Sequence, residues 1–348
     1  MRLRVLAASV AVLALAATGC STKPSASASP GGTLRLGYFA NVTHATALVE
    51  VERGTLAERL GPTRLETQVF NAGPAAVEAI FARAIDAAYL GPNPAINAYV
   101  KSKGDAVRIV AGATSGGAQL VVQPSIADAA GLRGKTLATP QLGNTQDVAL
   151  RAWLESQGLH TDPQQGGDVT IAPSENATTL QLFKDHKIDG AWVPEPWASR
   201  LVLDGGAKVL VDEKDLWPGG KFVTTHLVVA TPFLDKHPDV VKRLLQAHVE
   251  TTAWITAHPT DAKTVVNAAL EKLAGKPLAQ PVLDRAFANL TVTDDPLAAT
   301  LAESAAHATN AGLLKAPDLA GIYDLRILNQ VLSATGRPAV ADAGLGRN

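Results

Sequence analysis

Neutral hydrogen-bonding side chains recur in this chain where a β-like run gives way to a helical one. In "GYFANVTH" they are Asn41 and His44, close to Phe39, and in "FNAGPAA" it is Asn71, just before a helix start. "AGATSGGAQ" offers Ser115, Gly116 and Gly117, where backbone N–H groups can form a concavity for an anion. "PQLGNTQD" sets Asn144, Thr145 and Gln146 at another helix start, whose free N–H groups and dipole favour negative charge. None of these loops carries Lys or Arg. Amides and hydroxyls can hold an anion in a closing cleft with no buried cation to desolvate, and they suit a neutral or zwitterionic molecule equally. Each residue could also be a plain cap or turn residue, but four such loops on one edge exceed what capping needs.

Two further loops are near twins. "IDAAYLGPNPAIN" (85–97) and "IDGAWVPEPWASR" (188–200) share Ile-Asp, two small residues, an aromatic, an aliphatic and a loop with two prolines. The first brings Gly91, Pro92 and Asn93 to the candidate site, and the second Glu195 and Trp197. Those last two could engage an ammonium by charge and ring face. They could equally be a salt-bridge partner between lobes and a packing residue; the residues alone leave both open.

The elements that must position these loops alternate strictly. "TLRLGYFAN" reads as a strand and "HATALVEVERGTLAERLG" as a helix; "RLETQVF", "PAAVEAIFARA", "IDAAYLG", "PAINAYVKSKG" and "VRIVAGA" continue the pattern. It restarts after "AGATSGG", and from Phe233 the chain is mainly helical. Alternation predicts a mostly parallel sheet in each of two α/β lobes, with ligands outside the carboxyl ends of the strands. "QLVVQ" and "HLVVA" read as two crossover strands, with His226 a further candidate beside the second. The expected division is 33–116 with 228–348 as one lobe and 117–227 as the other.

Composition excludes several classes. The 348 residues are 47% hydrophobic and 18% charged, with a net charge of -1 and no long basic run, which argues against a nucleic-acid partner. "AGLRGKT" fails as a phosphate loop because Ala129 stands where a glycine is required. GxGxxG, HExxH, a Ser-centred elbow and a Cys/His cluster are all missing from the sequence, and no cofactor or metal is expected. The N-terminus has Arg2 and Arg4, an apolar run too short to span a bilayer, and "ATGC" ending at the single cysteine, Cys20. This resembles a bacterial lipobox, although Ala17 stands where the pattern prefers Leu. The expectation is a signal peptide over 1–19, lipidation of Cys20 and a Ser/Ala/Pro tether over 20–32. That places a globular protein, anchored by lipid, on the outer side of a cell membrane.

Together these residues resemble the solute-binding lipoproteins of ABC importers, in the nitrate/sulfonate/taurine/bicarbonate group. The resemblance rests on "LGYFANVTHATALVEVERG", "FNAGPAAVEAIFARAIDAAYLGPNPA", "LRGKTLATPQLGNTQD" and "IDGAWVPEPWASR", in that order, and covers roughly 34–254. It implies a type II periplasmic-binding fold: two lobes around a ligand cleft, two crossover strands and a helical C-terminal tail. It implies a monomer that docks on a permease driven by an ATPase, with the loops after Phe39, Leu90, Ala113, Pro140 and Val193 lining the site. An aliphatic sulfonate or taurine is the favoured ligand, because Phe39, Pro92 and Trp197 leave room for an organic tail. Nitrate, bicarbonate or a thiamin precursor is the alternative. A tethered sensor, or an enzyme like the pyrimidine synthases of the same fold, is a more distant one, since those synthases carry a cysteine-rich motif.

Overall fold

The computed structural model describes residues 32–164 and 166–347. The expected leader, Cys20 and all of the tether but Gly32 lie outside the described residues. The first lobe starts with β1 (Thr33–Phe39), α1 (Ala45–Glu52), α2 (Thr55–Leu60) and β2 (Arg64–Phe70). It continues with α3 (Gly73–Phe81), β3 (Ala87–Leu90), α4 (Pro92–Lys101) and β4 (Val107–Gly116). The second lobe holds β5 (Ala118–Val122), β6 (Thr136–Thr139), α5 (Thr145–Ser156) and β7 (Thr170–Pro173). After them come α6 (Asn176–Lys184), β8 (Gly190–Pro194), α7 (Trp197–Gly205) and β9 (Lys208–Asp212). The chain then returns through β10 (Val223–Ala230), α8 (Thr231–Lys236), α9 (Pro238–Ala257) and α10 (Pro259–Ala274). It finishes with α11 (Gln280–Ala288), β11 (Leu290–Val292), α12 (Leu301–Asn310) and α13 (Arg326–Ala334). No helix among the described residues is long and apolar enough to cross a membrane.

The strands form a six-stranded sheet, β11-β4-β10-β3-β1-β2, and a five-stranded one, β7-β6-β8-β5-β9. Both are mixed, where alternation alone predicts mostly parallel sheets. The parallel trios β2-β1-β3 and β7-β6-β8 obey that rule, but β10 and β5 run antiparallel beside them. The reason is connectivity: each of these strands enters its sheet from the other lobe, with no crossover helix to turn it parallel. The return strand joins the first sheet already at Val223. One core of buried apolar residues surrounds the first sheet, and two clusters cover the second. Leu120 and Val122 belong to one of those clusters and Val121 to the other, as the period of two in a strand dictates.

The repeated sequence occupies the same place in each sheet. β3 lies between β1 and β10, and β8 between β6 and β5. Leu227 faces Tyr89 across the first ladder, and Leu120 faces Trp192 across the second. The aspartates explain why the motif begins as it does. Asp86 accepts the N–H of Arg35 at 2.9 Å and donates its own N–H to the Arg35 carbonyl at 2.8 Å. Asp189 does the same with Thr136, at 2.9 and 2.8 Å. Each aspartate thus fastens the start of the neighbouring parallel strand, satisfying a donor that the ladder has not yet reached.

Candidate functional site

Between the lobes lies a nearly closed cleft with a free volume of about 20 Å³, room for about one water. The loop after β1 supplies Phe39, Asn41, Thr43 and His44. His44 is buried and its ring sits 4.3 Å from that of Phe39. Its Nδ1 accepts the Phe39 N–H at 3.3 Å, so in the neutral ring the proton is on Nε2. Burial lowers its pKa to about 3, so the imidazole stays neutral across the physiological range. It can therefore donate a hydrogen bond without carrying charge.

Helix N-termini surround the rest of the cleft. Ala72 and Gly73 begin α3, Gly91 precedes α4, Asn144, Thr145 and Gln146 begin α5, and Asn176 begins α6. The start of α5 is held firmly from beneath. Asn144 Oδ1 accepts the Asp147 N–H at 2.9 Å, and its Nδ2 donates to Gln146 Oε1 at 2.9 Å. The buried Asp147 carboxylate accepts from the Thr139 hydroxyl and the Gly143 N–H, both at 2.9 Å, and pairs with Arg151 at 3.1 Å. Asn176 Oδ1, Thr145 Oγ1 and Thr225 Oγ1 are buried without a hydrogen-bond partner in the protein. Unmet buried polar atoms are rare and costly, which marks these three as positions for an outside partner. The cleft lining includes no Lys, Arg, Asp or Glu.

Close approach of the lobes fixes one residue type. A Cβ on Gly91 would stand 2.1 Å from Thr145 Oγ1 and 3.3 Å from the Thr224 carbonyl. Only glycine lets the first twin loop meet α5. Hydrogen bonds also cross the gap: the Trp197 indole donates to Asn41 Oδ1 at 2.9 Å, and Asn71 Nδ2 donates to Glu175 Oε1 at 2.5 Å. The Thr43 N–H approaches the Glu195 carbonyl at 3.4 Å.

Of the residues singled out from sequence, Phe39, Asn41, His44, Asn71, Gly91, Asn144, Thr145 and Gln146 meet in this cleft. The others lie outside its lining. Pro92 opens α4, and Asn93 donates to the Ser304 carbonyl of α12 at 2.9 Å. Ser115 and Gly116 pair with β11, and Gly117 turns the chain into β5; both glycines have φ near +77°, a conformation other residues rarely adopt. Glu195 is wholly buried as a salt-bridge partner: Oε1 meets Arg285 of α11 at 3.2 Å and Asn289 at 2.6 Å, while Oε2 accepts the Ser199 N–H at 3.0 Å. Burial raises its pKa, and those hydrogen bonds and the arginine counter the rise. The Trp197 ring face already carries a cation, the Arg200 guanidinium at 4.7 Å. His226 Nε2 bonds to the Pro296 carbonyl at 3.1 Å within the first lobe, and burial lowers its pKa to about 4.

The cleft also contains residues that the sequence reading passed over: Thr43, Asn176, Thr224 and Thr225. Asn176 had a signal, since "PSENATT" repeats in the second lobe the strand, Asn and helix order of "FNAGPAA". Thr224 and Thr225 sit at the mouth of the return crossover strand and show no local pattern that sets them apart, whereas Thr43 lies in the loop after β1 between Asn41 and His44. Among the described residues no group of three or more His, Cys, Asp or Glu is arranged to hold a metal.

Comparison with known proteins agrees with this architecture. The taurine-binding periplasmic protein of Escherichia coli is 27% identical over 205 residues, 59% of this chain and 61% of that protein. The alkanesulfonate-binding protein of Xanthomonas axonopodis pv. citri, solved bound to MOPS, superposes with a TM-score of 0.67 at 22% identity, covering 84% of this chain and 96% of that one. The periplasmic nitrate-binding protein of Synechocystis superposes with a TM-score of 0.68 at 18% identity, covering 82% of each chain. The fold is that of the periplasmic binding proteins, as the sequence resemblance implied. The profile of the NMT1-like family matches residues 27–270, and this chain is a member of that family.

Proposed function

We propose that this protein is the extracytoplasmic binding component of an ABC importer, closing its lobes on a small organic anion and delivering it to a permease. The observation that carries this reading is the composition of the cleft. The N-termini of α3, α5 and α6 and a neutral histidine donor face a space whose lining has no charged side chain, while α4 also begins there but has no N–H at Pro92 or Pro94. Oriented N–H groups stabilise negative charge there without the desolvation cost of a buried cation. Thr145 and His44 are assigned to the anion's oxygens, Asn176 Oδ1, an acceptor, to a donor such as the ammonium of taurine, and Phe39, Pro140 and Pro194 to an organic tail admitted when the lobes part. This favours an aliphatic sulfonate or taurine over nitrate or bicarbonate, which have no tail to place. Cys20 is assigned as the lipid anchor, on its position after small residues; loss of palmitate labelling in Cys20→Ser would be the matching result.

Thermal unfolding of the full chain against taurine, methanesulfonate, nitrate and bicarbonate tests the assignment. A ligand at 100 times its Kd stabilises the folded state by about 2.7 kcal/mol. A rise with the sulfonates alone supports the proposal. A rise with nitrate or bicarbonate alone reassigns the ligand, and no rise with any of the four discards the anion reading. Because His44 remains neutral, affinity for a sulfonate should change less than about twofold between pH 5.5 and 8.

A further inference from the structure

A second recess, away from the cleft, has the opposite chemistry. It lies between α5 and the short turn of helix that follows β9, with a cavity volume of about 220 Å³. Trp153, Trp217, Glu213 and His307 line it, and the small side chains of Ala149 and Ala152 leave it room. Glu213 is 2% exposed. Its Oε2 accepts the Trp192 indole N–H at 2.7 Å, and Trp217 also hydrogen-bonds to it. Both donors are neutral. Among the described residues no Lys, Arg or His forms a salt bridge with Glu213; the adjacent Lys214 pairs with Asp212 at 3.1 Å.

The surrounding rings are fixed by packing. Trp217 stacks on Phe222 at 5.6 Å and meets His307 edge-on at 5.6 Å, while Trp153 packs on Trp192 at 6.1 Å. A buried carboxylate with indole walls and no protein counter-charge is a poor place for an anion. It is also short of the several oxygens that an inorganic cation requires. A soft, bulky cation meets both demands, since ring faces attract it and its apolar groups shed water cheaply.

We infer that this recess is a binding site for a small alkylammonium ion, its charge paired with Glu213 and its carbon groups against Trp153 and Trp217. The burial that raises the Glu213 pKa to about 7 is the cost that such a cation would relieve. The site is independent of the anion cleft, though both use α5: Thr145 begins the helix at the cleft, and Trp153 lies farther along it.

Titration of the full chain with tetramethylammonium chloride, followed by tryptophan emission and by calorimetry, tests the inference against potassium chloride at equal ionic strength. The expected result is a saturable change absent with potassium. Apparent Kd should rise at least tenfold in Glu213→Gln and in Trp217→Ala, and stay within about twofold in Trp254→Phe, which removes a distant emitter on α9. Trp153→Ala, at a partly exposed position, serves if Glu213→Gln does not fold. No saturable change, or one that survives the substitutions at Glu213, Trp217 and Trp153, overturns the inference.

Discussion

The two copies of the Ile-Asp motif form the same strand and then serve different ends. Up to the aromatic they are superposable in role: Asp86 and Asp189 fasten the neighbouring strand, and Tyr89 and Trp192 take the same place in the ladder. Even their polar tips act alike, since each reaches a buried carboxyl. Tyr89 donates to Glu50 at 3.0 Å and Trp192 to Glu213 at 2.7 Å. Beyond that point the copies part. The first loop puts Gly91 against Thr145 at the cleft, whereas the second turns Glu195 away toward Arg285. A local sequence repeat thus fixes local hydrogen bonding, and the surroundings decide what the following loop does.

The largest effect expected from breaking this equivalence is at the aromatics. Trp192→Ala should destabilise the second lobe by about 3–5 kcal/mol, through the cavity it leaves. Tyr89→Phe should cost the first lobe less, about 1–3 kcal/mol, through unpaired partners at Glu50 and His248. Urea unfolding followed by circular dichroism would rank the two, and equal costs would contradict the difference. Next come the loops. Gly91→Ala should weaken binding of the cleft ligand at least tenfold by holding the lobes apart, and adding Thr145→Ala, which removes a proposed ligand contact and leaves the Thr145 Cβ 3.2 Å away, should not restore it. Pro194→Ala, at the matching position of the second copy, should change affinity less than about threefold. Calorimetry on the three variants separates these outcomes.

The smallest effect is on pH dependence. Glu50 and Glu213 have pKa values raised by burial to about 8 and about 7, against 4.5 for the ordinary carboxyl. Their contribution is complete below pH 4.5 and is lost as pH rises through the folded values. His44 and His226, lowered to about 3 and about 4, act in the other direction below pH 6.5. Stability should therefore decline between pH 6.5 and 8. Glu213→Gln should flatten the lower part of that decline and Glu50→Gln the upper part, as read from urea midpoints.

Much of the fold was legible because its signals are local. Strand and helix alternation, the repeated motif and the twin "LVV" crossovers are each contained in a few residues. The helix-start asparagines could be read the same way, and they do gather in the cleft. Glu195 and Trp197 could not be placed, because their partners are remote: Arg285 lies 90 residues onward and Asn41 lies 156 residues back. The same holds for Thr224 and Thr225, which reach the cleft only because β10 enters the first sheet between β3 and β4.

Helix α11 has a mechanical consequence. It departs from α10, which packs on α1 in the first lobe, and Arg285 binds it to Glu195, Ser199 and Gln119 of the second. Leu283 and Ala286 of this helix are buried in the core of the first lobe, and one residue after it the chain joins the first sheet as β11. The backbone passes between the two bodies twice, into β5 and back into β10, and α11 adds a side-chain contact between them. An opening that separates α11 from the second lobe must therefore release Arg285 from Glu195, Ser199 and Gln119, so these contacts act as a latch between the lobes.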